Sequence, residues 1–497
     1  MKFVYDEYWR EALKEGFIRK IKPYEVISES QINEIERGVY QILEKVGLKF
    51  EVERDGIFDI FKKGGCKVDI DSRIVRFPKK LVQDCLGQCP TIFKVEARNS
   101  EDDLMIGGDR VYFQPGPGMW HLDLDTYEPR RATRKDFDNA TRIYDALPNI
   151  HYFHGNCPTT GFEGFDPVIE TIGTYTQRTR LSSKVNFIGA SVENDRFNIQ
   201  VADIVGAKGW SGIGAMSPLG WSNDSSEAAL RFIKGKFPLA INSGSVWGAS
   251  APATISGQLV TNIAEDIGPL VLAQLMNPGH EIMVGTFTFP MNMSSGDCFF
   301  GNIAIGLASC AFVQFWNKFS IPTFVIEAAI PNSKTMDFQS GYEKGMLALS
   351  QALAGASVIW LHGTVYGELT AHPIQAIMDD DIAGMVGRFL EGVDAGQEAL
   401  AVDLIEEVGT IPGFYLDKAH TREWWRKEQY IPKAAELNNI QNWIKGGKKQ
   451  AVDLARDRMK EILANHTIKH PLTQSEEADI DRVIEDARAF YKDKMSS

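Results

Sequence analysis

The sequence is poor in cysteine and contains no long apolar stretch. Its six cysteines are scattered and form no C-x-x-C pair: Cys66, Cys85, Cys89, Cys157, Cys298 and Cys310. This usage is typical of a reducing compartment rather than of a disulfide framework. No run reaches the ~18 uncharged apolar residues of a membrane span, and the start, MKFVYDEYWREALKEG, lacks the apolar core of a signal peptide. We therefore expect a cytoplasmic protein that does not bind membranes.

Basic residues are fewer than acidic residues. Lysine and arginine number 53 against 66 aspartates and glutamates, which gives a net charge of −13. Nucleic-acid binding needs a basic face, so we expect no nucleic-acid partner. No G-x-G-x-x-G opens a helix after a strand, which argues against a nicotinamide-binding fold.

The sequence does contain eight strand-like segments, most of them separated by room for a helix. They are VYFQPG (111–116), IHYFHGNC (150–157), KVNFIGAS (184–191), GIGAMSPLGW (212–221), PLAINSGS (238–245), EIMVGTFTF (281–289), IPTFVIEAA (321–329) and ASVIWLHG (356–363). Strands that alternate with helices form a parallel sheet, since parallel neighbours need a crossover connection. Eight such units predict an α/β protein built on a (β/α)8 TIM barrel.

The flanking sequence adds to the barrel at both ends. Residues 1–105 predict an N-terminal α+β cap, in which Ser28 and Gln31 form a capping-box pattern ahead of an amphipathic helix. Residues 106–395 hold the barrel. Residues 396–497 have helical periodicity and mixed charge, which predicts a C-terminal helical extension. This extension is expected to be a packed outer appendage or an oligomer surface, and we expect a homo-oligomer.

Few ionisable groups stand at the predicted strand ends, where a barrel carries its chemistry. No lysine or arginine lies there, which argues against phosphoryl transfer and Schiff-base chemistry. The seventh strand ends at Glu327 and the eighth at His362, so these two are the candidate catalytic residues. Gln114, His154 and Asn156 are candidates for binding a polar group of a substrate.

Aromatic side chains are abundant near the same ends. A cluster of tryptophan and tyrosine with at most one carboxylate suits a cation that donates no hydrogen bond, such as a quaternary ammonium. Trp247 and Tyr366 each follow a strand end in a glycine-rich turn and are the preferred cage members. Further candidates are Trp221, Phe289 and Trp360. The alternative is that some of these aromatics pack against helices.

A zinc site is a weaker possibility. His151, His154 and Cys157 form an H-x-x-H-x-x-C pattern. Alternation along a strand points His151 and His154 to opposite faces, whereas zinc needs three or four converging ligands. We therefore predict no metal site.

Several segments, taken in order, resemble the trimethylamine methyltransferase superfamily of corrinoid-protein-dependent methyltransferases. They are ILEKVG, FKKGGCKVD, VRFPKKLV, SAPATISGQLVTNIAED, LAQLMNPGHEIMVGT, MNMSSGD, SKTMDFQSGYEKGMLALSQALAGAS and MDDDIAGM. The trimethylamine branch of that family carries pyrrolysine in its barrel. Because this chain contains only standard residues, it resembles the non-pyrrolysine branch, which demethylates quaternary amines such as glycine betaine.

The resemblance implies an enzyme that moves a methyl group from a quaternary amine to the Co(I) of a corrinoid. It also implies that a separate corrinoid protein carries this acceptor, so that the chain itself binds no cofactor, and that His362 lies at the cobalt-facing mouth. Two other functions stay open. One is a lyase or isomerase acting on a small acid through Glu327 and His362, and the other is a non-catalytic betaine-binding subunit.

Overall fold

A computed structural model describes residues 16–53, 56–116, 118–153, 163, 166–367 and 369–496. Within these ranges, eight parallel strands form the wall of a barrel. They are β1 (Arg110–Pro115), β2 (Tyr152–Phe153), β3 (Val185–Gly189), β4 (Trp210–Gly214), β5 (Leu239–Ser243), β6 (Ile282–Thr286), β7 (Thr323–Val325) and β8 (Val358–His362).

The strands pair in chain order, and the barrel closes through β1. On one side β8 pairs with β1, with Val358 opposite Tyr112. On the other side the backbone N–H of His151, just before β2, donates to the carbonyl of Phe113 at 2.9 Å. A short strand, Phe17–Ile18, also runs antiparallel along β1. The predicted TIM barrel is therefore confirmed.

Eight helices surround the barrel, one after each strand. They are α1 (Arg134–Ala146), α2 (Glu170–Leu181), α3 (Asp195–Ile204), α4 (Asn223–Gly235), α5 (Ile255–Met276), α6 (Ile303–Asn317), α7 (Phe338–Ala354) and α8 (Pro373–Leu390). Short 3-10 turns cover Ser100–Asp102, Pro167–Ile169 and Glu327–Ala329. Because the barrel helices begin beside the strand ends, those ends and the following loops share one face of the molecule.

Three of the predicted segments contain a further element beyond their barrel strand. The segment 212–221 contains the end of β4 and a separate strand, Gly220–Trp221, which pairs with the cap. The segment 281–289 contains β6 and the start of Phe289–Pro290, which pairs with Val246–Trp247. The segment 321–329 ends in the 3-10 turn Glu327–Ala329 rather than in strand.

The N-terminal part packs on the barrel through one continuous core. Its helices are Glu29–Lys45, Gly56–Lys63 and Lys79–Gln88, and its strands are Leu48–Phe50, Lys67–Asp69, Ile74–Arg76, Ile92–Val95 and Leu104–Gly107. The capping box at Ser28 and Gln31 is present. Gly268 of α5 lies directly against the Leu48 side chain, which brings the cap close to this helix.

Two further regions complete the described chain. A small sheet of Trp120–Leu122, Pro129–Arg130, Thr364–Val365 and Thr370–Ala371 joins the loop after β1 to the loop after β8. The C-terminal helices are Gln397–Leu400, Val402–Val408, Ala419–Glu428, Ile440–Lys445, Ala451–Asn465 and Gln474–Ser496. None of the helices in the described ranges is both long enough and apolar enough to cross a membrane.

Candidate functional site

A cavity of about 310 Å³ lies inside the barrel and reaches the carboxyl ends of its strands. Six aromatic side chains line it: Tyr152, Phe187, Trp210, Phe287, Phe324 and Trp360. The other lining residues are Gly189, Ala190, Gly212, Ile213, Gly214, Ala240, Asn242, Met283 and Ile326. The cavity is therefore mainly a set of aromatic and apolar surfaces at the place where a barrel carries its site.

Glycines on two strands make room for the aromatic rings. A Cβ added to Gly285 of β6 would lie 2.1 Å from the ring of Phe324, and one added to Gly212 of β4 would lie 2.4 Å from the ring of Phe187. Phe324 in turn stacks on Trp360, with ring centroids 6.5 Å apart and planes 17° apart. The ring positions therefore depend on strand residues that have no side chain.

The described lining is uncharged. It contains no aspartate, glutamate, lysine, arginine or histidine. Burial raises the pKa of Tyr152 well above its usual value, so the phenol stays neutral. The Oδ1 atom of Asn242 and the Nε1 atom of Trp210 have no hydrogen-bond partner among the described residues. A few neutral polar atoms are thus set among aromatic faces.

Gln114, a predicted substrate-binding residue, is not among the residues that line this cavity but neighbours two that are. It is fully buried in β1 and stands opposite Trp360 of β8 in the strand register. Its amide lies beside the Tyr152 hydroxyl without completing a hydrogen bond to it. Gln114 is therefore next to two lining residues.

The position of His362 contradicts its predicted place at the mouth of the lumen. The β1–β8 register shifts between Trp360 and His362, so the imidazole does not follow Trp360 into the cavity. Instead, Nε2 lies 3.6 Å from Oδ1 of Asp380 on α8, and the ring packs against Phe113. His362 is fully buried between the barrel wall and α8.

Glu327 was also expected in the lumen, and the structure places it elsewhere. Ile326 lines the cavity, and the 3-10 turn that follows directs Glu327 to the helix layer. There its Oε2 accepts from the backbone N–H of Ile326 at 3.0 Å and from the amide of Gln351 on α7 at 3.4 Å. Burial raises the pKa of Glu327 to about 8, so the carboxyl group is mostly protonated at neutral pH.

Of the five predicted cage aromatics, one lines the cavity, three lie beyond the lining residue Phe287, and one lies in a different part of the core. Trp360 lines the cavity. Phe289 contacts the lining residue Phe287 edge to face, with centroids 5.0 Å apart, and Phe300 links it to Tyr366 in a row that leads away from the cavity. Trp247 is buried on the short strand that pairs with Phe289.

Trp221, the fifth predicted cage aromatic, does not face the cavity. It is fully buried in the core shared with the cap, and its indole N–H donates to the carbonyl of Glu265 at 3.2 Å. The predicted strand 212–221 turns between Gly214 and Gly220, which carries Trp221 away from the lumen. Its position gives no support to a substrate-binding role.

Sequence reasoning left several lining residues out of the site, chiefly Phe187, Trp210, Asn242, Met283 and Phe324. Alternation from a known lumen residue provides a signal for some of them, since Trp210, Gly212 and Gly214 all face inward. Phe187 and Phe324 could have been predicted as lining residues because each ring faces a glycine on the neighbouring strand, Gly212 and Gly285 respectively.

Two predicted residues, His154 and Asn156, lie outside the described residues, as does Cys157 of the possible zinc pattern. His151 is described, and its Nδ1 accepts from the backbone N–H of Phe113 at 3.0 Å. Burial lowers the pKa of His151 to about 3, so it is neutral. Among the residues with described positions, no three His, Cys, Asp or Glu side chains converge on a possible metal site.

The fold and the cavity together define a barrel protein with an aromatic cavity whose described lining is uncharged. The sequence model of the trimethylamine methyltransferase (MTTB) family matches residues 9–486. The chain belongs to this family, which confirms the resemblance read from its sequence and the expectation of a methyltransferase.

Named relatives cover almost the whole chain. A trimethylamine methyltransferase MttB of Desulfitobacterium hafniense (strain DSM 10664 / DCB-2) is 28% identical over 93% of this chain and 94% of its own. A glycine betaine methyltransferase of D. hafniense (strain Y51) is 28% identical over 89% of this chain and 93% of its own. The monomethylamine methyltransferase MtmB of Methanosarcina barkeri aligns in structure with a TM-score of 0.46 and 13% identity, covering 92% of this chain and 97% of its own.

Proposed function

We propose that this protein transfers a methyl group from a small quaternary ammonium zwitterion of the glycine betaine type to the Co(I) of a corrinoid held by a partner protein. The cobalt donates an electron pair to the methyl carbon as the C–N bond breaks. The products are methyl-cobalt(III) and a tertiary amine whose uncharged nitrogen keeps the electron pair of the broken bond, while the carboxylate keeps its charge. No proton has to move.

The observation that carries the proposal is the uncharged aromatic cavity. Aromatic faces attract a quaternary ammonium through the negative potential above their rings. A bare cation in a buried space without a counter-ion would lose its hydration uncompensated. A betaine brings its own carboxylate and is neutral overall, so it suits a lining in which no charged side chain is described.

The positions of the acidic and basic groups support the same reaction. Loss of methyl from a tertiary amine leaves an anionic nitrogen unless a proton is supplied, whereas loss of methyl from a quaternary amine leaves an uncharged nitrogen. Glu327 and His362 both lie behind the barrel wall, so neither is placed to protonate an amine in the cavity. The same placement removes the observation that favoured an acid–base lyase or isomerase.

The location of the opening supports a macromolecular acceptor. The lumen reaches the strand ends at Gly189 and Gly214, so the cobalt has to approach from that face. Exposed apolar side chains stand on the loops after β3, β4 and β6: Val192, Met216 and Met293. Such side chains favour contact with another protein. The corrinoid protein is thus proposed to dock there.

The test uses a reduced corrinoid protein, a panel of amines and the visible absorption of cobalt. We expect conversion of Co(I) to methyl-Co(III) with a quaternary zwitterion such as glycine betaine and not with trimethylamine. Transfer from trimethylamine alone would contradict the proposed substrate class. Betaine binding without transfer to a partner of proven competence would favour the non-catalytic binding function.

A further inference from the structure

Gln114 holds an unusual position for a buried amide. It is fully inaccessible to solvent one residue before the end of β1, with Trp360 opposite it on β8 and Tyr152 beside it on β2. Both neighbours line the cavity. A ligand that fills the cavity therefore comes close to the Gln114 amide.

The amide of Gln114 is not satisfied by the described protein. Neither Nε2 nor Oε1 has a hydrogen-bond partner among the described residues. Two buried glutamines show the contrast: Gln274 bonds to the carbonyl of His280 and the N–H of Gly279, and Gln314 bonds to Ile27 and Val26. The side-chain amide of Gln258 on α5 also has no partner among the described residues, but it is not next to the cavity lining in the strand register. Because a buried amide without partners is destabilising, an unpaired one beside a cavity points to a ligand.

A second unpaired donor lies on the same side of the cavity. The indole N–H of Trp210 has no hydrogen-bond partner among the described residues, and its ring lies 6.2 Å from the Tyr152 ring. Tyr152 is therefore a neighbour of both Gln114 and Trp210. Phe324 and Phe287 leave the β6–β7 side of the cavity apolar.

We propose that Gln114 determines substrate specificity by donating its amide N–H to the carboxylate of the substrate, with the Trp210 indole as a second donor. This inference deepens the proposed function and rests on it for the identity of the ligand. With no cationic side chain in the described lining, neutral N–H donors are the groups available to a carboxylate. The trimethylammonium end then lies against the remaining aromatic faces. Gln114 thereby selects a zwitterion over a cation of the same shape.

The test compares binding of glycine betaine and choline, which share the trimethylammonium group and differ at the other end. Titration calorimetry needs no corrinoid protein. We expect the wild type to prefer betaine and Gln114→Glu to lose betaine affinity by about 10- to 100-fold, the range for a lost hydrogen bond to a charged group. The new carboxylate should raise affinity for choline, so that the preference inverts.

Two more variants keep the test decisive. Gln114→Met removes the donor at similar volume without adding charge, so it should weaken betaine binding without strengthening choline binding, even where Gln114→Glu fails to fold. Gln351→Glu makes the same change at a buried glutamine that contacts Ser309 and Glu327 behind the wall. This control should leave the betaine preference unchanged.

The outcomes separate this inference from the proposed function. Folded Gln114 variants with wild-type betaine affinity would overturn the inference, even where the wild type methylates a corrinoid protein. Gln114-dependent betaine binding without any methyl transfer would support the inference and contradict the proposed reaction. A wild type that binds neither betaine nor choline would overturn both.

Discussion

The buried carboxyl group of Glu327 is predicted to make the protein less stable as the pH rises. Burial raises its pKa from about 4.5 to about 8 in the folded state. Its contribution to stability is therefore fully present below about pH 4.5 and is lost as the pH rises through 8. Up to about 3 kcal/mol is lost by pH 7, because each pH unit between the two pKa values corresponds to about 1.4 kcal/mol. Burial also raises the pKa values of Glu265 and Asp266.

The variant Glu327→Gln keeps the shape of the side chain and cannot titrate. We expect its free energy of unfolding, measured in urea between pH 5 and 8, to fall less with pH than that of the wild type. Glu343→Gln is the contrasting variant, because Glu343 accepts backbone N–H groups from Asn332 and Ser333. It should be destabilised across this pH range. Equal slopes for Glu327→Gln and wild type would contradict the assignment.

The orientations of His362 and Glu327 show what the sequence could not reveal about single residues. Their positions near the strand ends were predictable from the pattern of apolar runs. Strict alternation would have kept His362 on the same face as Trp360, but the register shift between them moves the imidazole outward. Such a shift depends on how two strands pair, and one strand does not encode it.

Among the strands, β6 is predicted to control the shape of the cavity through Gly285. A methyl group at this position would lie 2.1 Å from the ring of Phe324, so Gly285→Ala has to displace that ring. Phe324 stacks on Trp360, and its displacement should disturb both rings. We expect a loss of ligand affinity of at least about 10-fold, measured by calorimetry, because two of the six aromatic faces are misplaced.

Gly214 provides the matched control. It also lines the cavity at the end of a barrel strand, but a Cβ added there meets no atom within 4 Å. Gly214→Ala should therefore keep the fold and bind the ligand within a few-fold of the wild type. Equal affinities for the Gly285 and Gly214 variants would show that the Phe324 ring is not part of the binding surface.

The elements were predictable where their apolar runs were bounded by turns. The segment 238–245 contains β5, and 356–363 contains β8, because a buried parallel strand is a compact apolar run. The segment 212–221 reads as one strand, yet it contains β4 and the strand Gly220–Trp221, which pairs with the cap strand Leu48–Phe50. That division depends on a partner more than 160 residues away in the chain.

For the whole molecule, the alternation of strands and helices predicted the barrel. The sequence did not decide whether the C-terminal extension packs on the barrel or forms a contact between copies. Residues 393–446, here called the C-terminal arm, contain four helices of four to ten residues, and none of these helices has a buried residue. Helices this short are not stable alone in water. The arm therefore needs a surface to cover, and several of its apolar side chains are almost fully exposed, including Ile411 at 96% and Leu416 at 83%.

We predict that a second copy of the chain covers the arm. The same molecule exposes apolar side chains at successive turns of α7 and α8, among them Phe338 and Met346 on α7 and Met385 and Phe389 on α8. Val393, at the start of the arm, continues the α8 stripe and is 92% exposed. A two-fold arrangement lets each arm cover the stripe of the other copy, which is the usual self-complementary form of a homodimer.

Light scattering coupled to size-exclusion chromatography tests this arrangement. The wild type should elute as a multiple of the 55.5 kDa chain, and the double variant Ile411→Glu with Leu416→Glu should elute as the monomer, because two carboxylates would be buried at the interface. Met105→Glu, an exposed apolar position on the cap, is the control and should stay oligomeric. A wild type that is monomeric at micromolar concentration would rule out the arm as a contact between copies. It would leave the arm and the α8 stripe as a surface for a different protein.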